Sequence, residues 1–417
     1  MHKLPAAQKK SKLVVFDVEG VLLPKRRYLI FEVGRNLHFP DFLKITFYGL
    51  LYELGLISLK SAFKRVFKIF RGIHVDELLR IFRHVPLMPG AEEVFAQLRS
   101  EGFKTALISS GLPTIVVRDL AQRLKADYAY GFEVDVKEGV LTGEIWGDVI
   151  EHRGKLPVLR KIVETEKLMA KDCVVIADDR NNVPMFLPEM LKIGYNPDFA
   201  VRVRADIVVN GELQEILLIV NGIPKEKRTL SKHEVLRETI HACGFFVPIL
   251  SLYFGLYLVA LFILIIMLLY VMSELARMER RDLPILSSIT SNAATQSELY
   301  EFATAPIFFA LGILLTLLLF PFPASSPAIA IFALGDSTAS IFGRIYGQKT
   351  LPFNKGKTLE GSLIGLFFAF LAGAFFTSPL KSLVGAVVAM MIECLPLPVN
   401  DNLITPLITG ATLTLIL

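Results

Sequence analysis

The chain has 417 residues, 53% of them hydrophobic and 20% charged, with a formal net charge of +5. It is too long for one ordinary domain and too apolar for a wholly soluble one, so the apolar residues must be unevenly shared. The basic excess does not argue for nucleic acid: Lys and Arg sit beside the apolar stretches, and no basic run in the C-terminal half is interleaved with aromatics.

Met1–Lys12 is basic, but the apolar run after it is strand-length and interrupted by Asp17 and Glu19. It is not a signal segment, and the first domain is expected to stay in the cytosol. Leu13–Phe16, Thr105–Ser109, Cys173–Ala177 and Ala205–Val209 read as buried parallel strands between helical patterns, which predicts a doubly wound α/β core. Tyr28–Arg83 is helical in period and predicts a helical cap over residues 28–85 of a domain spanning 1–222. The three cysteines, Cys173, Cys243 and Cys394, have neither metal-type spacing nor a disulfide framework.

A basic linker follows at 223–240, then an all-α region over 241–417. Seven apolar stretches, 240–254, 256–273, 303–320, 327–343, 361–377, 382–395 and 403–417, approach the length needed to cross hydrocarbon, and the first pair can join as one tilted helix. With an inner N-terminus, the inward segments carry Lys225, Lys227, Arg228, Lys232, Arg237, Arg277, Arg280, Arg281, Arg344, Lys349, Lys355 and Lys357, and the outward ones only Lys381. That asymmetry supports seven spans, with the soluble domain and the loops around 344–360 on the cytoplasmic side.

Four separated elements of the first half converge on one chemistry, each near the C-terminal end of an expected strand, where open α/β sheets place their ligands. Val14–Gly20 ends an apolar strand in two carboxylates two residues apart, Asp17 and Glu19. One can attack phosphorus and the other protonate the leaving oxygen. Leu107–Gly111 offers Ser109, Ser110 and backbone N–H groups to phosphate oxygens. Lys155 can offset charge on the nucleophile and phosphoryl group. Val174–Asn182 brings Asp178, a hard oxygen donor suited to Mg2+. Singly each is a loop cap or a turn; it is the joint occurrence that points to phosphoryl chemistry.

On these motifs, residues 13–212 resemble the haloacid dehalogenase-like phosphatases, most closely the phosphoserine phosphatase branch with its helical cap. The resemblance implies Asp17 as nucleophile, Glu19 as general acid, Ser109 and Lys155 as phosphate ligands, Ser110 beside them, Asp178 as a Mg2+ ligand together with Asp17 and Glu19, and Asn181 nearby. It implies Mg2+ as cofactor and a small phosphomonoester as substrate. Two positions depart from the pattern, Glu19 and Asn182, where the family usually has Asp. A third departure is Lys25-Arg26-Arg27, where phosphoserine phosphatases carry an acid for the substrate amino group; a cationic replacement argues against phosphoserine itself.

Polar residues inside apolar spans are costly and point to function. Asp336, in Gly335-Asp336-Ser337-Thr338, is the only acid in its stretch. The loop after it supplies Arg344, Lys349 and Lys357 with several glycines, a plausible phosphate cradle at a membrane surface. Gly356-Lys357-Thr358 is not a P-loop, because position 351 is Leu rather than Gly. Glu393, Asp401 and Asn402 return acids and amides to the same expected face, and Arg237 and His241 open the first span.

Residues 231–417 thereby resemble the CTP-dependent dolichol, phytol and yeast-type diacylglycerol kinases, through the opening Arg/His segment, Gly335-Asp336 with Gly343 and Gly347, Lys357-Thr358-Leu359-Glu360-Gly361, and Glu393 with Asp401-Asn402. The resemblance implies transfer of phosphate from CTP to a membrane lipid alcohol. Asp336 and Asp401 would be Mg2+ or hydroxyl-activating candidates, and Arg344, Lys349, Lys357, Glu360 and Asn402 nucleotide or substrate contacts. Two other readings stay open: a phosphatidate cytidylyltransferase-like enzyme, whose long acidic and glycine-rich closing signature is missing, and a phosphatase with a passive anchor.

Overall fold

Leu13–Phe16 forms β1, four apolar residues all fully buried, as a strand covered on both faces requires. The computed structural model describes residues 13–25, 39–53, 56–151, 153–223, 230, 232–278, 302–397 and 399–416. Contacts divide the chain at Pro224/Lys225 into two units.

In the N-terminal unit β1 is followed by α1 (Phe39–Glu53), α2 (Leu59–Ile69), α3 (Val75–Arg83), α4 (Ala91–Ser100), β2 (Lys104–Pro113), α5 (Thr114–Leu124), β3 (Tyr128–Lys137) and β4 (Val140–Trp146). Then come α6 (Lys155–Thr165), β5 (Cys173–Ala177), β6 (Leu191–Tyr195), α7 (Phe199–Arg204), β7 (Ile207–Val209) and α8 (Glu215–Val220). The sheet order is β4-β3-β2-β1-β5-β6-β7, parallel except for the β3–β4 pair. Phe16 pairs with Leu107 on one side and Ile176 on the other, so the residues just beyond these pairs, Asp17, Ser109 and Asp178, come to one edge, with β2 running on to Pro113.

The core is doubly wound, as expected, with three strands beyond the four anticipated. β3 and β4 form a largely half-buried hairpin, and β6 is a short strand carrying Lys192 and Gly194. β2 is longer than Thr105–Ser109, and β7 starts at Ile207 because Ala205 is the C-cap of α7. The regular elements in the described part of the cap are the helices α1 to α3. Phe63 and Phe67 of α2 pack on Phe132 of β3 at ring-centroid distances of 5.3 and 5.0 Å. Backbone bonds Gly72–Leu141 and Leu141–Ile73, both 2.9 Å, stitch the cap to the hairpin. Residues 28–38 of the expected cap, Arg26 and Arg27, and the basic positions Lys225, Lys227, Arg228, Arg280 and Arg281 lie outside the described residues.

The C-terminal unit is helical among the described residues: α9 (Lys232–Cys243), α10 (Phe246–Phe254), α11 (Leu256–Met278), α12 (Ala305–Leu319), α13 (Phe322–Tyr346), α14 (Leu359–Ala374), α15 (Pro379–Cys394) and α16 (Asp401–Leu415). The stretch read as linker up to 240 is helix from Lys232. Three helical stretches, Lys232–Phe254, Leu256–Arg277 and Phe322–Tyr346, are long and apolar enough to cross a membrane, and Ala305–Leu319 and Leu359–Ala374 are shorter apolar helices. This suggests a membrane association. The 327–343 stretch belongs to a longer, 25-residue helix, α13.

Small residues let the helices around α13 approach closely: Ala324, Ala328, Ala369, Ala386 and Ala389 form one buried cluster with Ile331 and Leu413. A Cβ on Gly361 would meet the Ala339 carbonyl oxygen at 2.6 Å and Gly343 Cα at 2.7 Å. Much of the glycine pattern around 343–361 is thus a packing requirement between α13 and α14.

Candidate functional site

The first site is built at the edge where β1 and β5 end, beside Ser109 of β2. The Asp17 N–H donates to the Ile176 carbonyl at 3.0 Å, which fixes the turn, and the residue is 3% exposed. Lys155 opens α6 and is 2% exposed; its Nζ donates to Asp17 Oδ1 and to Asn182 Oδ1, both at 2.6 Å. Asn182 Nδ2 donates to Asp17 Oδ2 and, at 2.8 Å, to Asp179 Oδ1. Lys155 and Asn182 therefore hold the Asp17 carboxylate from both oxygens.

Glu19 and Ser109 form a separate pair: Ser109 Oγ donates to Glu19 Oε2 at 2.7 Å and accepts from the N–H of Gly111 and Leu112 at 3.1 and 2.9 Å. Ser110 is buried next to it on β2. Glu19 lies outside the carboxylate cluster described next, and its Oε1 is buried without a hydrogen-bond partner.

That cluster is Asp17, Asp178 and Asp179, each offering a ligand oxygen within 4.8 Å of the others. Asp178 Oδ1 is buried with no hydrogen-bond partner. Such an orphan costs free energy unless something else satisfies it. Gly20 has φ +82°, and a Cβ there would come within 2.0 Å of Asp178 Oδ2, so the glycine leaves the carboxylate its space. Three hard oxygen donors, one of them unpartnered, fit a Mg2+ ion.

Charge crowding shows in the proton affinities. Burial raises the Asp17 carboxyl to about 6 from 3.8, against the pull of Lys155 and with added repulsion from Glu19 and Asp179. Burial likewise pushes Asp178 well up, reinforced by Asp179 and Asp17. For Lys155, burial pulls down, but Asp17, Asp179 and Glu19 outweigh it and hold the ammonium above its ordinary value.

Asn181 donates to Asp179 at 2.8 Å and accepts from Tyr52 of α1 at 2.9 Å. Arg180 lies over the Tyr52 ring at 5.5 Å, so the cap is latched to the loop after β5. Sequence reasoning assigned no role to Asp179, Asn182 or Tyr52. Asp179 adjoins Asp178 and could have been taken with it; Tyr52 has no local signal.

A second polar centre lies within the C-terminal unit. Asp336 Oδ2 is 3.2 Å from His241 Nδ1, and Asp336 Oδ1 is 3.8 Å from Lys357 Nζ, which donates to Glu393 Oε1 at 2.7 Å. Asp336, Glu393, Asp401 and Thr405 line one crevice with Ile331, Phe332, Ala389 and Met390. The structure thus brings Asp336, Lys357 and Asp401 together. Glu238 and His241 of α9 join them; His241 belongs to the opening Arg/His segment of the sequence, whereas Glu238 carries no signal there. Only the packing of α9 on α13 could reveal its place.

The remaining candidates sit elsewhere. Arg344 pairs with Glu234 of α9, and Lys349 is exposed. Glu360 accepts the N–H groups of Gln348 and Lys349 at 3.1 and 3.2 Å, and Thr358 caps α14 by accepting from Gly361 N–H at 3.3 Å, so both shape the loop. Asn402 is buried in the first turn of α16, its N–H held by Asn400 and Asp401 at 3.0 Å each.

Comparison with known proteins bears on the first half. A phosphoserine phosphatase of Methanocaldococcus jannaschii is 27% identical over 212 residues, 50% of this chain and 98% of that protein. One from Archaeoglobus fulgidus is 28% identical over 229 residues, 55% of this chain and 65% of its own length. A solved structure of a phospho-aspartyl intermediate analogue of phosphoserine phosphatase, 26% identical, covers 51% of this chain and 99% of its own at a TM-score of 0.44. Residues 14–187 match the model of the haloacid dehalogenase-like hydrolases, and the N-terminal unit carries a domain of that family.

Proposed function

We propose that the N-terminal unit hydrolyses a small phosphomonoester by an aspartyl-phosphate route, and that the helices from Lys232 onward form a multi-pass domain that phosphorylates an isoprenoid alcohol from CTP. The observation that carries the first half is Asp17, held by Lys155 at 2.6 Å and by Asn182, two residues from a Glu19 oriented by Ser109 at 2.7 Å. Asp17 attacks phosphorus as the bond to the leaving oxygen breaks, and Glu19 donates its proton to that oxygen. Glu19 then takes a proton from water as the water attacks the aspartyl phosphate, which frees phosphate and restores Asp17. Lys155 and Asn182 keep the nucleophile oriented, and Ser109, Ser110 and the Gly111 N–H line the side where phosphate oxygens gather. Asp17, Asp178 and Asp179 would hold Mg2+, whose charge offsets that of the phosphoryl oxygens.

The named relatives are phosphoserine phosphatases, but this chain has the basic stretch Lys25-Arg26-Arg27 after its first motif, which disfavours a substrate ammonium. A phosphomonoester from the same lipid pathway suits the basic stretch better. Loss of Mg2+-dependent phosphate release in Asp17→Asn is the test; full activity in that variant refutes the assignment.

For the second half, support comes from Lys357 set between Asp336 and Glu393 beside a glycine-shaped loop. Seven spans with the loop and the phosphatase domain on the cytoplasmic side fit the distribution of basic residues. Labelled γ-phosphate of CTP should appear in an added polyprenol; cytidine in the lipid, or no label, contradicts a kinase.

A further inference from the structure

We propose that Glu238, His241 and Asp336 form a divalent-cation site within the C-terminal unit. Their ligand atoms all lie within 4.8 Å of one another. Glu238 and His241 are three positions apart on α9, which puts both on one helix face; that face packs on α13, which carries Asp336.

Three features mark this as a built site. Glu238 is 4% exposed, and its Oε2 is buried without a hydrogen-bond partner. An unsatisfied carboxylate oxygen among apolar helices is expensive, and a cation at the shared centre would satisfy it. The His241 ring is 6% exposed and stacks on Phe309 at 4.3 Å and 14°, which fixes its plane. Lys357 does not fill the place: its Nζ is 2.7 Å from Glu393 but 3.8 Å from Asp336.

The donor set differs from that of the N-terminal cluster. One imidazole with two carboxylates suits Mn2+, Fe2+ or Zn2+, whereas three carboxylates suit Mg2+. The inference deepens the kinase reading and rests on it only for the ion's purpose, to offset phosphate charge beside Lys357.

The test uses the full-length chain in lipid nanodiscs with Asp178→Asn, which disables the N-terminal cluster, and Mn2+ as probe. Electron paramagnetic resonance should count one tightly held Mn2+ per chain, and spin-echo modulation should show one imidazole nitrogen on it. His241→Gln should abolish the nitrogen signal, and Glu238→Gln should weaken binding by about tenfold or more. Mn2+ without nitrogen coupling in the parent, or coupling that survives His241→Gln, overturns the site whether or not other variants fold. The nitrogen signature without any CTP-dependent lipid labelling upholds the site and fails the kinase reading; labelling without the signature does the reverse.

Discussion

Raising the pH should destabilise the metal-free N-terminal unit, and Mg2+ should reverse the effect. Asp17 binds its proton more tightly folded, at about 6, than unfolded, at 3.8. The folded state then carries more bound protons between those values, so stability falls as pH rises through them. At ~1.4 kcal/mol per pH unit the interval amounts to about 3 kcal/mol, and Asp178 shifts in the same direction. For a domain of this size, that corresponds to a drop in Tm of about 6–12 °C. Lys155, held above its ordinary value, contributes stability that is fully present below 10.5, outside this window. The sole tryptophan, Trp146, lies in β4, so its fluorescence reports this unit within the full chain. Melts in EDTA at about pH 4.5 and 7 should show roughly two-thirds of the drop, because pH 4.5 already lies inside the interval, and Mg2+ should raise Tm more at the higher pH. If Asp17→Asn keeps the parent's pH slope in EDTA, the buried carboxylate is not its source.

Gly20→Ala places a methyl on the Asp178 carboxylate at φ +82°; it should cost about 1–2 kcal/mol in backbone strain and weaken Mg2+ by about 10–100-fold, read by titration. Tyr52→Phe removes the hydroxyl that donates to Asn181 at 2.9 Å; losing about 1 kcal/mol of cap closure should raise KM about fivefold with kcat little changed, and an unaltered KM would dismiss the latch. Lys357→Ala should lower CTP-dependent lipid phosphorylation by about 10²–10³ in turnover while phosphomonoester hydrolysis persists; equal loss of both activities would point to misfolding instead.

The α/β core is readable in the sequence where burial is two-sided: Leu13–Phe16 and Cys173–Ala177 are unbroken apolar runs, and both are strands with those bounds. β3 and β6 are not, because half-buried positions and residues such as Gly194 and Lys192 dilute the pattern. Asp17, Ser109, Lys155 and Asp178 are legible as strand-end or helix-start residues of one sheet edge. Asn182 stands out only as a departure from a family pattern, and its hold on Asp17 needs the fold. Tyr52 and Glu238 reach their sites by packing of helices distant in sequence, 129 residues in the case of Tyr52 and Asn181. No local spacing encodes such contacts. At Glu360 the sequence shows a carboxylate beside basic residues, and only the fold shows that it accepts two backbone N–H groups.

The central claim is that Asp17 becomes covalently phosphorylated. Brief incubation with a labelled phosphomonoester and Mg2+, followed by acid quench, borohydride reduction and mass spectrometry of the peptide around residues 13–25, tests it directly. Reduction of an aspartyl phosphate should convert Asp17, and no other carboxylate, to homoserine, and Asp17→Asn should abolish the product. Continued turnover with no modification at Asp17, or with the label on another residue, would contradict the account.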